Sequence, residues 1–190
     1  QYGRNDHSVN FRDFLLEPEH SRAYIVGLRK LWALNRADEY IQMGIEATQL
    51  EEPRVKGIRE GQSWYVHYQV RDCYTNRGQV LGAGIGPGSN MQHLDVAWVK
   101  GLKRIGINME RVVNNNDFFY SAKFPVTDVR RHWVDLAFGG NVDWCFGKII
   151  LNTNLTYIRS LNHQWQFEDH DGFFWSNPKI DANNLHFKAG

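Results

Sequence analysis

At 190 residues the chain is long enough to bury a sizeable core in one domain. Its 22 basic and 21 acidic residues leave a net charge of +1, so no global field draws it to nucleic acid. No run of about 18 apolar residues occurs, which excludes a membrane-spanning helix. The mean hydropathy of −0.53 does not speak against a barrel, whose lumen and lipid residues average out along each strand.

The dominant signal is a two-residue alternation of apolar with polar side chains, the period of a strand. It predicts strands over residues 22–34, 39–50, 63–71, 92–102, 104–113, 132–146, 148–160 and 184–189, with weaker candidates at 79–85 and 163–167. Turn residues separate them: Asn35-Arg36-Ala37-Asp38, a reversal at Lys103, and Gly147. Longer segments over 114–131 and 168–183 alternate with these short turns, as the loops of an outer-membrane barrel do.

Within each strand one parity is apolar. Tyr24, Val26, Leu28, Trp32 and Leu34 share a face broken by Lys30; Ile41, Met43, Ile45 and Ala47 oppose Gln42 and Glu46. Trp64, Val66, Tyr68 and Val70 oppose His67, Gln69 and Arg71. Ile105, Ile107 and Met109 oppose Asn108 and Glu110, and Ile149, Leu151, Leu155 and Tyr157 oppose Asn152 and Asn154. A soluble β-sandwich buries the apolar parity against a second sheet, whereas a transmembrane barrel turns it to lipid. The polar parity is rich in Asp, Glu and Asn and poor in Lys. Aromatics sit near strand ends at Tyr24, Trp32, Trp64, Trp133, Trp144 and Trp165, where an interfacial girdle places them. Both points favour an all-β, antiparallel transmembrane β-barrel, with the sandwich as the alternative. No internal domain boundary is visible.

Several spaced motifs carry a resemblance. The run Tyr74-Thr75-Asn76-Arg77-Gly78-Gln79-Val80-Leu81-Gly82-Ala83-Gly84-Ile85-Gly86-Pro87-Gly88-Ser89-Asn90 resembles the Wzi-type capsule assembly family, in its Bacteroidetes branch. So do Gly3-Arg4-Asn5-Asp6, Pro18-Glu19-His20-Ser21-Arg22-Ala23-Tyr24, Asn114-Asn115-Asn116-Asp117-Phe118 and Arg131-His132-Trp133. The resemblance implies a barrel in the Gram-negative outer membrane that holds capsular polysaccharide at the cell surface as a lectin, not an enzyme. Its partners are then the polysaccharide and outer-membrane lipid, with no cofactor and no nucleic acid. Family barrels have about twice the strands available here, so the resemblance implies a C-terminal portion of a larger barrel, incomplete at both ends. Gln1-Tyr2-Gly3-Arg4 has neither the charge nor the apolar core of a signal peptide.

The candidate carbohydrate contacts are His93, Asp95, Asn108, Glu110, Asn141 and Asp143 on the polar parity, and Trp175 in the Phe173-Phe174-Trp175 cluster. Asp135, Asn152 and Asn154 share that parity. Carboxylates and amides suit sugar hydroxyls; the same residues would line a cation-selective, porin-like channel or form a hydrogen-bonded filling of a barrel interior. Arg71, Arg104 and Arg159 are candidate counter-charges. The alternate glycines of Gly82-Ala83-Gly84-Ile85-Gly86-Pro87-Gly88 point to a strand face cleared for close approach. Asp6-His7-Ser8 has hydrolase residue types, but strand neighbours face opposite ways. Asp169-His170-Asp171 has metal-ligand types without loop spacing, and reads as a solvated turn. Cys73 and Cys145 either pair in an oxidising compartment or stay free.

Overall fold

The computed structural model describes residues 1–5, 7–34, 38–54, 61–67, 69, 73–122, 132–165 and 181–190. In chain order the elements are β1 (Tyr2–Arg4), α1 (Phe11–Leu16), β2 (Arg22–Ala33), β3 (Glu39–Gln49), β4 (Thr75–Asn76), β5 (Gln79–Val80), β6 (Asn90–Lys100), β7 (Lys103–Val113), α2 (Asn116–Ala122), β8 (Val134–Phe146), β9 (Ile149–Leu161) and β10 (Ala182–Ala189). The fold is all-β and antiparallel. One eight-stranded sheet runs in the order β1-β2-β3-β6-β7-β8-β9-β10, and β4 and β5 form a separate hairpin. Within the sheet the strands pair in sequence order, β3 meeting β6 past the β4–β5 hairpin.

Six of these strands are 11 to 13 residues long, about twice the usual five or six. A tilted strand needs about 9–11 residues to cross a bilayer. Two-residue turns join β6 to β7 and β8 to β9. In each, glycine holds the first turn position at positive φ, 55° for Gly101 and 62° for Gly147, where an L side chain would be strained. The reversal expected at Lys103 therefore lies two residues earlier. Across β8 and β9, Phe146 faces Ile149 and the pairing continues without a bulge to Val134 and Leu161. Ala182–Ala189 then pairs with 153–160.

The described residues gather into two units. Unit 1 comprises 1–26, 47–91 and 113–129; unit 2 comprises 27–46, 92–112 and 130–190.

In unit 2 the burial pattern is inverted relative to that of a water-soluble sheet. Along β7, Ile105, Ile107, Met109 and Arg111 are exposed, Gly106 is buried, and Asn108, Glu110 and Val112 are half-buried. Leu155, Tyr157 and Arg159 of β9 are likewise exposed while Thr156 and Ile158 are half-buried and Ser160 is buried. Leu28 is 71% and Ile107 63% exposed. The buried apolar residues of this unit are small: Ala97, Val99 and Ala137. In β7 and β9 the apolar parity thus faces outward and the polar parity is the packed one, whereas both parities of β6 and β8 are mostly half-buried and β10 is exposed on both.

Unit 1 has its own core, formed around Phe119 with Leu50, Val113 and Ala23, all buried. Several sequence expectations fail among the described residues. The segment 63–71 is not a strand among its described residues. Tyr65 takes φ 66° and the Val66 N–H closes a turn onto Ser63 O at 3.2 Å. The Trp64 ring lies against Gly3 and the Tyr65 ring against Gly82, so packing overrode a strand-like alternation. Of 79–85, only Gln79–Val80 is strand. Gly86 and Gly88 sit at φ 80° and 61°, so the glycine run is a chain of turns and not a cleared strand face. Close approach is still part of its function: a Cβ at Gly82 would collide with the Tyr65 ring, and one at Gly88 with Asn115 and Asp117. Two helices arise in segments read as loop or left unassigned, α1 and α2. The weak strand at 163–167 is instead a 3-10 turn over His163–Trp165, with 166–167 outside the described residues.

Candidate functional site

On the polar face of unit 2, strand pairing brings residues far apart in sequence into one network. Asp95 of β6 is its centre. Its carboxylate accepts from Gln42 Nε2 of β3 at 3.3 Å and lies 4.0 Å from Arg104 Nη2 of β7 and 3.9 Å from His93 Nε2. The other imidazole nitrogen, Nδ1, is 3.3 Å from Glu110 Oε2 of β7. One histidine thus bridges two carboxylates, and one arginine stands beside Asp95. These side chains are partly buried, Asp95 most of all at 15% exposure. That setting makes each hydrogen bond stronger, and loss of one partner more costly, than in water.

Glycines make room for this layer. A Cβ at Gly44 would collide with the Asp95 carboxylate, one at Gly106 would stand 2.5 Å from Asn141 Oδ1, and one at Gly139 would strike the Asn108 amide. Three polar side chains therefore lie flat across glycines of neighbouring strands. This is the physical reason for Gly44, Gly106 and Gly139 in strand interiors, where glycine is otherwise unfavourable. Further along, Asn152 Nδ2 donates to Asp143 Oδ1 at 2.8 Å and Thr156 Oγ1 to Asn154 Oδ1 at 2.9 Å.

Of the residues singled out from sequence, His93, Asp95 and Glu110 form one connected group. Asn108 and Asn141 lie over the glycines of the β7–β8 pair, and Asp143 belongs to a separate pair with Asn152. Trp175, with Phe173, Phe174 and the Asp169-His170-Asp171 run, lies outside the described residues, as do Asp6 and Arg71. Arg104 does meet Asp95. Arg159 does not serve the polar face: it lies on the opposite parity and its guanidinium is 3.1 Å from Asp181. The Ser8 hydroxyl accepts from the Arg4 guanidinium at 3.0 Å. Cys73 and Cys145 are both free thiols.

Two features were not anticipated. Trp133 stands edge-on to Trp165, with ring centroids 5.2 Å apart, and to His163 at 5.1 Å; its Nε1 donates to Asp135 at 2.8 Å. Aromatic spacing alone predicted a girdle for the two tryptophans, and the turn that joins them was hidden behind a false strand. Trp98 was also missed: its Nε1 donates to Glu39 at 2.9 Å, beside Lys100. Near the other short turn of unit 2, Lys103 Nζ lies 4.5 Å over the Trp144 ring. In both places a tryptophan near a strand end is paired with a charged side chain.

Most of the motif residues fall in unit 1, where they interlock. The Asn116 N–H donates to Gly88 O at 2.7 Å, the Leu50 N–H to Ser89 O at 2.9 Å, and the Asn115 N–H to Ser89 Oγ at 3.0 Å. Asp117 accepts from Glu52 N and from Ser63 Oγ at 2.6 Å. Asn90 and Arg54 both reach the buried Glu51 carboxylate. Arg54 also stacks 4.7 Å over the Tyr120 ring. Burial raises the pKa of the Tyr120 hydroxyl; Arg54 opposes that shift and Glu51 adds to it.

Comparison with protein-family models, with curated proteins and with solved structures returns no match. Among the described residues no helix is long and apolar enough to cross a membrane, which does not bear on strands.

Proposed function

We propose that this chain forms part of a transmembrane β-barrel of the outer membrane and binds capsular polysaccharide without catalysis. The observation that carries the membrane half is the inversion of the sheet. Ile105, Ile107, Met109, Leu155, Leu185 and Phe187 are exposed, whereas the opposite parity carries the Asp95–His93–Glu110–Arg104 network. Burying an apolar side chain of this size stabilises by about 1.5–3 kcal/mol, so a sheet that leaves a whole face of them uncovered has lipid as its natural complement. Strand length, the two-residue turns and the charged partners of Trp98 and Trp144, which suit a membrane–water boundary, agree with it.

The ligand half rests on the motif resemblance and on donor chemistry. Aligned carboxylates, amides and an imidazole match the hydroxyls of sugars, and the Trp133–Trp165 pair with Asp135 offers aromatic faces beside an acceptor. Weak single contacts suffice for a polymer, because repeated sites along one chain multiply its residence.

Both halves are tested on one preparation, the full chain refolded into lipid vesicles. Saturable binding of purified capsular polysaccharide, weakened at least several-fold by Trp133→Ala, is the expected result. Ion conductance without polysaccharide binding would make the protein a channel instead.

A further inference from the structure

Helix α1 is inverted in the same sense as the sheet. Its single buried residue is Asp13, 8% exposed, and one turn further Glu17 is 4% and His20 5% exposed. Asp13 lies on the helix, Glu17 caps its C-terminal end and His20 follows in the next turn. Hydrogen bonds hold Asp13, and Glu17 and His20 stand beside each other. Asp13 N donates to the Asn10 N-cap at 2.9 Å, the Val9 N–H donates to Asp13 Oδ2 at 2.7 Å, and Glu17 stands 3.8 Å from His20. The outside of the helix is apolar. Phe11 is 74% exposed, Phe14, Leu15 and Leu16 are exposed with it, and Val9 precedes them. The two phenyl rings stack on each other at 6.4 Å.

The side on which this helix lies is fixed by Arg4. In the β1–β2 register, Tyr2 faces Tyr24 and Arg4 faces Arg22, so all four share the parity of Val26 and Leu28, the apolar face. The Arg4 guanidinium lies 5.5 Å over the Phe14 ring. Helix α1 therefore stands beside the apolar face of the β1–β2 pair. Arg4 opposite Arg22 also places two like charges directly across a strand pair, which is destabilising unless an anion sits between them. The exposed Arg12 adds a third cation to the same short segment.

We infer that α1 is a lipid-interface element: Phe11, Phe14, Leu15 and Leu16 enter the edge of an acyl layer while the exposed Arg12 and Arg22 meet the phosphates of anionic lipid headgroups. The inference rests on the membrane reading above and assigns it a specific contact. A helix with apolar residues outward, basic residues at its rim and acidic residues turned away is suited to lie in such a surface.

The test uses the full chain with Cys73→Ser and Cys145→Ser, a nitroxide at Leu15→Cys or at Ile107→Cys, and vesicles of phosphatidylglycerol with phosphatidylcholine. Collisions with oxygen, against those with an aqueous nickel chelate, report depth. The expected result is a deep label at 107 and a shallow, oxygen-accessible label at 15. A nickel-accessible label at 15 with a deep label at 107 overturns the role of α1 and leaves the membrane reading standing. A nickel-accessible label at 107 overturns the membrane reading, and with it this inference. A label at 15 shielded from both reagents means that protein covers the helix, which also overturns the proposal. In co-sedimentation, Arg22→Gln should reduce the preference for phosphatidylglycerol over pure phosphatidylcholine several-fold; an unchanged preference refutes the headgroup contact.

Discussion

Ile107 is the position at which water and lipid make the most different demands. It lies on the apolar face of β7, 63% exposed, with Lys103 four residues before it and Arg111 four residues after. At about 3.3 Å per residue each charged end is roughly 13 Å away along the strand, and about 10 Å along the normal of a membrane if the strand tilts by about 40°. Ile107 is then near the middle of the apolar band. If water covers this face, Ile107→Lys replaces one exposed side chain by another, and such surface changes stay within about 0.5 kcal/mol. If lipid covers it, a lysine at mid-depth costs about 2–4 kcal/mol, roughly a 30- to 900-fold change in the folding equilibrium. Urea unfolding of the full chain in phospholipid vesicles, followed by tryptophan fluorescence, measures the difference. The same substitution at Arg111, outside the band, should leave the midpoint unchanged within error. A loss below about 0.5 kcal/mol for Ile107→Lys would refute the lipid-facing sheet.

Other expectations follow from single contacts. Gly106→Ala puts a methyl 2.5 Å from Asn141 Oδ1 and 3.0 Å from the Ala97 Cβ, and overpacking of this kind should cost about 1–3 kcal/mol in the same unfolding assay. Asp95→Ala strips an acceptor shared by Gln42, His93 and Arg104; a loss of about 1–3 kcal/mol is expected, while Asp95→Asn keeps the Gln42 contact and should lose less. Burial holds the Tyr120 pKa above 10.0. The folded state keeps its proton longer than the unfolded one, so Tyr120 contributes stability below pH about 10 that is lost as the pH rises through the folded value. Absorbance titration should show one late-ionising phenol that vanishes in Tyr120→Phe and ionises later still in Arg54→Ala.

The strands of the sheet were legible because alternation is a local signal that survives wherever one face differs from the other. Strands 22–34, 39–50, 92–102, 104–113 and 148–160 sit within a few residues of β2, β3, β6, β7 and β9 for that reason. The failures share a cause as well. Trp64, Val66, Tyr68 and Val70 alternate as a strand would, yet Trp64 and Tyr65 are used to pack on Gly3 and Gly82, contacts from 17 to 61 residues away that no local pattern displays. Helix α1 escaped notice because its stripe is reversed and short: Phe11, Phe14 and Leu15 have helical spacing, but six residues are too few to stand out from the surrounding chain. In the site, parity placed His93, Asp95 and Glu110 on one face. It could not show that Gly44 is what lets Asp95 lie flat, since that fit depends on which residues the register brings opposite.

The exposed apolar residues of the sheet and of α1 both bear on the proposed membrane reading. A soluble sandwich could expose part of one sheet face to a partner, and an isolated helix could expose a few phenylalanines to a ligand. Here β2, β7, β9, β10 and α1 all turn apolar side chains outward, while Asp13, Glu17, Thr48, Glu51 and Ser160 are buried. Burying carboxylates is costly unless hydrogen bonds compensate, and at Asp13 and Glu51 those bonds are present. Under the proposal, lipid would make the uncovered side of Leu28, Ile107 and Phe187 the favourable one. The sheet edge bears on the same proposal. Beyond Tyr24, β2 extends past its pairing with β1, and its exposed residues from Val26 to Ala33 would template aggregation in water. In the proposed barrel that edge would pair with a further strand, and the exposed face would become part of an apolar wall.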